Sequence, residues 1–275
     1  KKFFWISHQH GHGIELSDIH KKTQITKEET LCDLLFVYSP IGKKKRTENT
    51  YIKKNVKILN IGYQTNTFDF ENIPKHDIIY ISNLNQELAG HEINMSGLNN
   101  NEKIIFEENL VSDVFSKIKH SILFKEYPGN KQSNIKSKYF KKLIEPHKNI
   151  VYFNEWLNAE NIYNKSSIIL TSLPTSGLAA AINSKKPIVF IDIKQIMPLR
   201  EDLIKKFDKH FFYFEFNKNI INNLKDFLSQ DIKNIYNEWF KKETNDKKNF
   251  IENYINIKSK KEIISSIKKN ITNFI

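Results

Sequence analysis

Three groups of residues in this 275-residue chain have types and spacing suited to chemistry. The first is Thr171-Ser-Leu-Pro-Thr-Ser-Gly177, hydroxyl-rich and broken by one proline. It follows the apolar run Ile168–Leu170 and precedes the small apolar run Leu178–Ile182. A helix opening at the end of a buried strand presents unpaired N–H groups and the positive end of its dipole, where a phosphate can sit. Thr175, Ser176 and Gly177 are therefore candidate phosphate-binding residues. The same composition also serves an ordinary crossover helix in which Thr175 and Ser176 are only caps. The second group is Phe124-Lys-Glu-Tyr-Pro128, which puts the charge of Lys125 at the end of another apolar run. Lys125 would neutralise a departing phosphate, beside backbone N–H groups and hydroxyls.

The third group is Ser7-His-Gln-His-Gly-His-Gly13. In an extended segment His8, His10 and His12 share one face, an array that could hold a metal. No carboxylate or cysteine pattern completes a ligand set, so the expected site is metal-free. His10 stands between Gln9 and Gly11, with Gly13 as a second flexible point, so its imidazole can approach a ligand closely. Neutral at pH 7, it can accept a proton. His10 is the expected catalytic base, with His8, Gln9, Gly11, His12 and Gly13 as the supporting cleft loop. The plain alternative is a polar loop packed at a domain junction.

These groups need elements to position them. Short apolar runs at Phe3–Ile6, Asp33–Tyr38, Val56–Ile61, Asp77–Ser82, Ser121–Pro128, Ile150–Phe153, Ile168–Leu170, Ile188–Ile191 and Phe211–Phe216 read as strands. Between them Lys27–Cys32, Glu102–Ile118, Lys138–Leu143, Leu157–Asn164 and Leu178–Ile182 read as helices, the second with Ile105, Leu110, Val114 and Ile118 on one face. Lys43–Arg46 reads as a solvated loop or an anion contact. The alternation marks a doubly wound α/β fold. A polar stretch from Asn66 to His76, containing Pro74, is the expected boundary. It divides the chain into residues 1–75, 76–216 and a helical 217–275. The entry at Lys1 straight into a strand and the histidine loop suggests that earlier strands are missing. The first segment should then expose an apolar edge.

Composition sets outer limits. The formal net charge of +12 comes from lysines spread among Asn and Ile, with no RNA-binding or zinc-finger signature, so no nucleic-acid partner is expected. A basic rim facing an anionic substrate or a membrane surface is compatible with it. The single cysteine, Cys32, excludes internal disulfides and fits a reducing compartment. No apolar run spans a membrane and no signal peptide is visible. The expected location is cytoplasmic, with peripheral contact at the inner membrane face as a compatible variant.

At Phe124-Lys-Glu-Tyr-Pro128, Thr171–Gly177 and Lys186-Pro-Ile-Val-Phe190 the sequence resembles the carboxyl-terminal half of GT-B glycosyltransferases. The likeness is to bacterial surface-polysaccharide enzymes: leptospiral-type surface-carbohydrate, Kdo-type, sialyl-type and polyglycerol-phosphate transferases. Their strand often ends in Lys-x-His-Pro, and a Thr/Ser-rich turn, a Lys-Pro and a strand follow. Gln9-His-Gly-His-Gly13, with Glu29 and Cys32-Asp33 downstream, resembles the His-Gly loop of the same group. Tyr127 stands where those families usually have His, and Ala179 and Ala180 where many place a ribose-binding Glu. The resemblance implies a Rossmann-like GT-B carboxyl-terminal domain preceded by the tail of a truncated amino-terminal one. It also implies transfer of a sugar from a nucleotide-sugar donor to a cell-surface carbohydrate or lipid-linked glycan acceptor. Lys125, Tyr127, Thr175, Ser176 and Gly177 would then hold the donor, and no separate cofactor would be needed. Other functions on the same fold are a nucleotide-sugar 2-epimerase, a glycerol-phosphate transferase or a non-catalytic nucleotide- or carbohydrate-binding domain.

Overall fold

A computed structural model describes residues 5–9, 13–17, 31–48, 52, 55–64, 73–82, 100–126, 134–155, 157, 159–195 and 197–271. The fold is α/β, with two parallel sheets. The first has the order β1 (Ile6–His8), β2 (Leu34–Val37), β3 (Lys57–Asn60). The second is built from β4 (His76–Ile81), β5 (Ile122–Lys125), β6 (Ile150–Phe153), β7 (Ser166–Thr171), β8 (Ile188–Asp192) and β9 (Phe212–Glu215). Its order is β6-β5-β4-β7-β8-β9, every pairing parallel. Counted from β4, this is the 3-2-1-4-5-6 order of a dinucleotide-binding sheet, with its topological switch between β4 and β7.

The central strands are continuous apolar runs because both faces are covered. Ile168, Ile169 and Leu170 of β7 and Ile188 to Ile191 of β8 are fully buried. Each such Leu or Ile contributes roughly 1.5–3 kcal/mol. Helices α1 (Gly13–Leu16), α2 (Pro40–Thr47), α3 (Asn100–Asn109), α4 (Asn134–Ile144) and α5 (Ser176–Asn183) follow their strands. Leu178 to Ile182 of α5 are all buried, as the small Ala179-Ala-Ala181 run allows. Helices α6 (Glu201–His210), α7 (Ile220–Leu228), α8 (Ile232–Lys241) and α9 (Asn245–Tyr254) pack against the second sheet through Leu203, Phe207, Leu224, Ile235 and Phe250.

The last helix behaves differently. In α10 (Lys260–Ile271), Ile263, Ile267 and Ile271 lie at helical spacing on one stripe. That stripe covers Leu34, Phe36, Leu59 and Ile61 of the first sheet. Within the carboxyl-terminal helices, α7–α9 pack on the second sheet and α10 on the first. The return passes through Asn256, whose side chain donates to Tyr38 O and Asn60 Oδ1, both at 2.8 Å. Gly62 has φ +88, and a Cβ there would meet Lys258 Cγ at 2.7 Å.

Several local expectations shift. Lys43–Arg46 is not a loop but part of α2, capped by Ser39, whose Oγ accepts from Gly42 N at 2.9 Å. In the stretch after β4, α3 widens into a π segment, Leu110–Val114, and a 3₁₀ turn, Phe115–Lys117. The widened turn brings Leu110, Val111, Val114 and Phe115 all onto the buried side, and the face slips so that Phe106 is buried and Ile105 exposed. Leu157–Asn164 supplies 3₁₀ turns at Ala159–Asn161 and Tyr163–Lys165 instead of a helix. Trp5, Ile6 and Leu31 of the first segment are exposed. Among the described residues, no helix is long and apolar enough to cross a membrane.

Candidate functional site

Open α/β sheets bind ligands outside the carboxyl ends of their strands, at the switch point. Here that is the crevice between the ends of β4 and β7, where Ser82, Thr171 and Ser172 are buried. From Ser172 the chain turns through Pro174 into α5. Thr175 is the N-cap, extended at φ −119 and ψ −166, and its side chain makes no capping hydrogen bond. Thr175 thus occupies the cap position while its hydroxyl is not used to cap. The amides of Leu178 and Ala179 donate to Thr175 O at 3.1 and 3.2 Å, which leaves those of Ser176 and Gly177 at the opening of the helix, and Ser176 is exposed. A Cβ on Gly177 would meet only ordinary contacts, the nearest being Tyr163 Oη at 3.6 Å.

Two phenols brace the helix start. Tyr163 donates to Gly177 O at 2.9 Å, and Tyr63, from the end of the first sheet, donates to Ser176 O at 3.4 Å. Burial raises the pKa of both phenols, and the half-buried carboxyl of Glu160 adds to the rise in each, so both remain neutral donors. Burial likewise raises Glu160 itself. The Tyr63 ring stacks edge-on with Tyr38 at 5.1 Å, and Tyr38 with His8 at 4.9 Å. Tyr38 Oη lies 3.4 Å from His8 Nδ1. Burial, then the charge of Glu15, pushes the Tyr38 phenol up to about 12. A line of rings therefore joins the histidine segment to the α5 turn across the crevice: His8, Tyr38, Tyr63, Ser176.

The base of that segment is a buried polar cluster. Gln9 Nε2 donates to both carboxylate oxygens of Glu15, at 2.8 and 2.9 Å, and its Oε1 accepts from Tyr38 N at 3.0 Å. Arg46, fully buried, pairs with Glu15 at 3.5 Å. Arg200, next to the second sheet, donates to Glu15 O at 3.1 Å, and Ser17 bridges Leu199. Gln9 and Glu15 are thereby tied to each other and to both sheets. Gly13 opens α1. His10, Gly11 and His12 lie outside the described residues.

Lys125 and the Thr175–Gly177 turn stand at the same, carboxyl edge of the sheet, since β5, β4 and β7 are parallel and Ile81 is level with Lys125. The ammonium, however, turns the other way. It is 1 % exposed and donates to Glu126 O at 2.7 Å and Glu155 O at 2.9 Å, under the end of β6. Tyr127 lies outside the described residues. Among the described residues no group of three His, Cys, Asp or Glu side chains is placed to hold a metal ion. Sequence reasoning missed Tyr38, Tyr63, Tyr163, Glu160 and the Glu15–Arg46 pair. The local signal was position, since Tyr38 directly follows β2 and Tyr63 comes three residues after β3.

No protein-family model matches the sequence, and no curated protein matches it either. Solved structures do match in fold. S. aureus MnaA in complex with UDP superposes with a TM-score of 0.52 at 15 % identity, over 89 % of this chain and 62 % of that one. A putative UDP-N-acetylglucosamine 2-epimerase from Listeria monocytogenes gives 0.50 at 12 % identity, over 88 % and 60 %. S. aureus TarM, solved with UDP, gives 0.47 at 16 % identity, over 86 % and 43 %. The chain thus spans less than two thirds of the length of each. What the first two share with this chain is the fold, Rossmann-like α/β of the GT-B kind, with one six-stranded sheet and three strands of a second described here.

Proposed function

We propose that this chain handles the donor of a glycosyltransferase that moves a sugar from a nucleotide-sugar to a cell-surface carbohydrate acceptor. The observation that carries the reading is the uncapped start of α5 at the switch point, braced by Tyr163 and by Tyr63 from the opposite sheet. Amide N–H groups of Ser176 and Gly177, with the hydroxyls of Thr175 and Ser176, receive the diphosphate and take up the charge that develops as the glycosidic bond breaks. Lys125 contributes by shaping the β5 edge rather than by direct charge contact. Tyr127, next in sequence after Glu126, is the proposed second donor contact of this stretch. The acceptor-activating base is His10, with His8, Gln9, Gly11, His12 and Gly13 as its supporting residues in sequence. No resident metal is needed for this division of labour. The acceptor is a surface glycan, free or lipid-linked, met at the inner face of the membrane.

A second reading has a specific support: one neighbour above is named a UDP-N-acetylglucosamine 2-epimerase and another carries UDP. The two separate in one assay. Calorimetry with UDP, CDP, CMP and GDP identifies the nucleotide. The matching nucleotide-sugar is then incubated without acceptor. Transfer predicts only slow hydrolysis, whereas epimerisation predicts inversion at C2. Ser176→Glu places a carboxylate on an exposed helix start and should abolish nucleotide binding with the fold intact. Undiminished binding by that variant would remove the α5 turn from the site.

A further inference from the structure

One carboxylate beside the start of α5 has no part in holding a diphosphate. Glu160 lies on the 3₁₀ turn Ala159–Asn161, between β6 and β7, and that turn packs against α5. Its charge is within electrostatic reach of Tyr63 and Tyr163, the two phenols that brace the helix start. Glu160 is therefore a neighbour of the Ser176–Gly177 opening, and it is only half-buried, so a ligand can reach it.

The carboxylate makes no hydrogen bond or ion pair with any described residue. Neither phenol can serve it, since both hydroxyl protons are given to α5, at Ser176 O and Gly177 O. Burial raises the pKa of the Glu160 carboxyl with no cation opposing the rise. A partly desolvated carboxylate without partners is costly, and a ligand that brings proton donors relieves the cost. A phosphate cannot do so, because it carries the same sign of charge and no donor to spare at pH 7. Hydroxyl groups can. The two oxygens of a carboxylate match two neighbouring hydroxyls, and each sugar ring joined to a nucleotide-sugar diphosphate carries such groups. The next turn of α5 offers no competing acceptor, since Leu178 to Ile182 are apolar and buried.

We propose that Glu160 is a specificity-determining residue of the crevice, accepting neighbouring hydroxyls of a sugar ring that adjoins the diphosphate. The place of the diphosphate on α5 is that of the proposed transferase, on which this rests; the choice of Glu160 rests on its own unsatisfied carboxylate. The ring is the ribose or the transferred sugar, which present the same chemistry to it.

The test is a coupling measurement. Titration calorimetry with UDP, CDP and GDP identifies the nucleotide that binds. That nucleotide is compared with its 2′-deoxy counterpart, and its glucose conjugate with the 2-deoxyglucose conjugate, in the wild type, Glu160→Gln and Glu160→Ala. Loss of a hydroxyl that Glu160 accepts should weaken wild-type binding by about tenfold, and Glu160→Ala binding by less than about twofold. Glu160→Gln, which keeps one acceptor oxygen, should fall between them. The pair that shows the coupling tells which ring is held. A merely structural role for Glu160 would weaken both members of a pair alike. Equal deoxy losses in the wild type and Glu160→Ala, for both rings, would overturn the proposal while leaving the diphosphate on α5. Absence of binding by all three nucleotides would instead end the diphosphate site, and the role of Glu160 with it.

Discussion

Replacing Arg46 by methionine tests whether the cluster under the histidine segment is as strongly coupled as its geometry implies. Arg46 and Glu15 are both without solvent exposure, and their charged atoms are 3.5 Å apart. Arg46→Met keeps much of the side-chain volume but leaves the Glu15 carboxylate buried with the Gln9 amide at 2.8 and 2.9 Å and the Ser39 hydroxyl at 3.5 Å. Two neutral donors do not replace a cation in that setting, so the expected cost is about 3–5 kcal/mol. Converting Glu15 to glutamine as well removes the stranded charge, and Glu15→Gln/Arg46→Met should recover at least roughly half of the loss. Urea denaturation followed by tryptophan fluorescence and far-ultraviolet dichroism measures both; one of the three tryptophans, Trp5, sits beside the first sheet, where its backbone N–H donates to the Asp33 carboxylate at 2.9 Å. A single substitution costing less than about 1 kcal/mol, or a double variant no better than the single one, would refute the argument that Glu15 depends on Arg46.

The remaining predictions concern the same packing and the buried imidazoles. Gly42→Ala would bring its Cβ to 2.2 Å from Glu15 Oε1, so it should displace that carboxylate and cost about 1–3 kcal/mol, read as a lower midpoint in the same denaturation. Burial lowers the pKa of His76 and of His210 below the ordinary imidazole value. The unfolded chain therefore takes up protons first as pH falls through about 6.5, and stability should be full above that value and decline below it. His76→Leu should flatten part of the decline; an unchanged pH profile of the denaturation midpoint would count against it.

How much could be read in the sequence depended on whether a signal was local. The β7–turn–α5–β8 unit was legible because an apolar run, a hydroxyl-rich turn, a small-residue helix and Pro187 follow one another within a few residues. Lys125 was legible as a strand-end lysine but not in its direction, because the carbonyl of Glu155 that receives it belongs to a neighbouring strand's exit. Lys43–Arg46 looked solvated since three lysines precede Arg46, whereas its partner Glu15 is 31 residues away. The hydroxyls of Tyr63 and Tyr163 meet α5 only once two sheets and a 3₁₀ turn are in place. The face of α3 slipped because a π turn adds a residue that a strict helical period does not anticipate.

The cover that α10 provides for β2 and β3 sets an order of events during synthesis. Leu34, Phe36, Leu59 and Ile61 leave the ribosome some two hundred residues before Ile263, Ile267 and Ile271 that shield them. Until then, among the described residues, that face of the first sheet lacks its apolar cover, while β4–β9 can already close around their core. The amino-terminal sheet must therefore be the later of the two to become stable, despite being made first. Its completion is a long-range closure, slow in the way that high contact order is slow. A nascent chain stopped before α10 would carry that apolar face exposed, which is where a chaperone would bind.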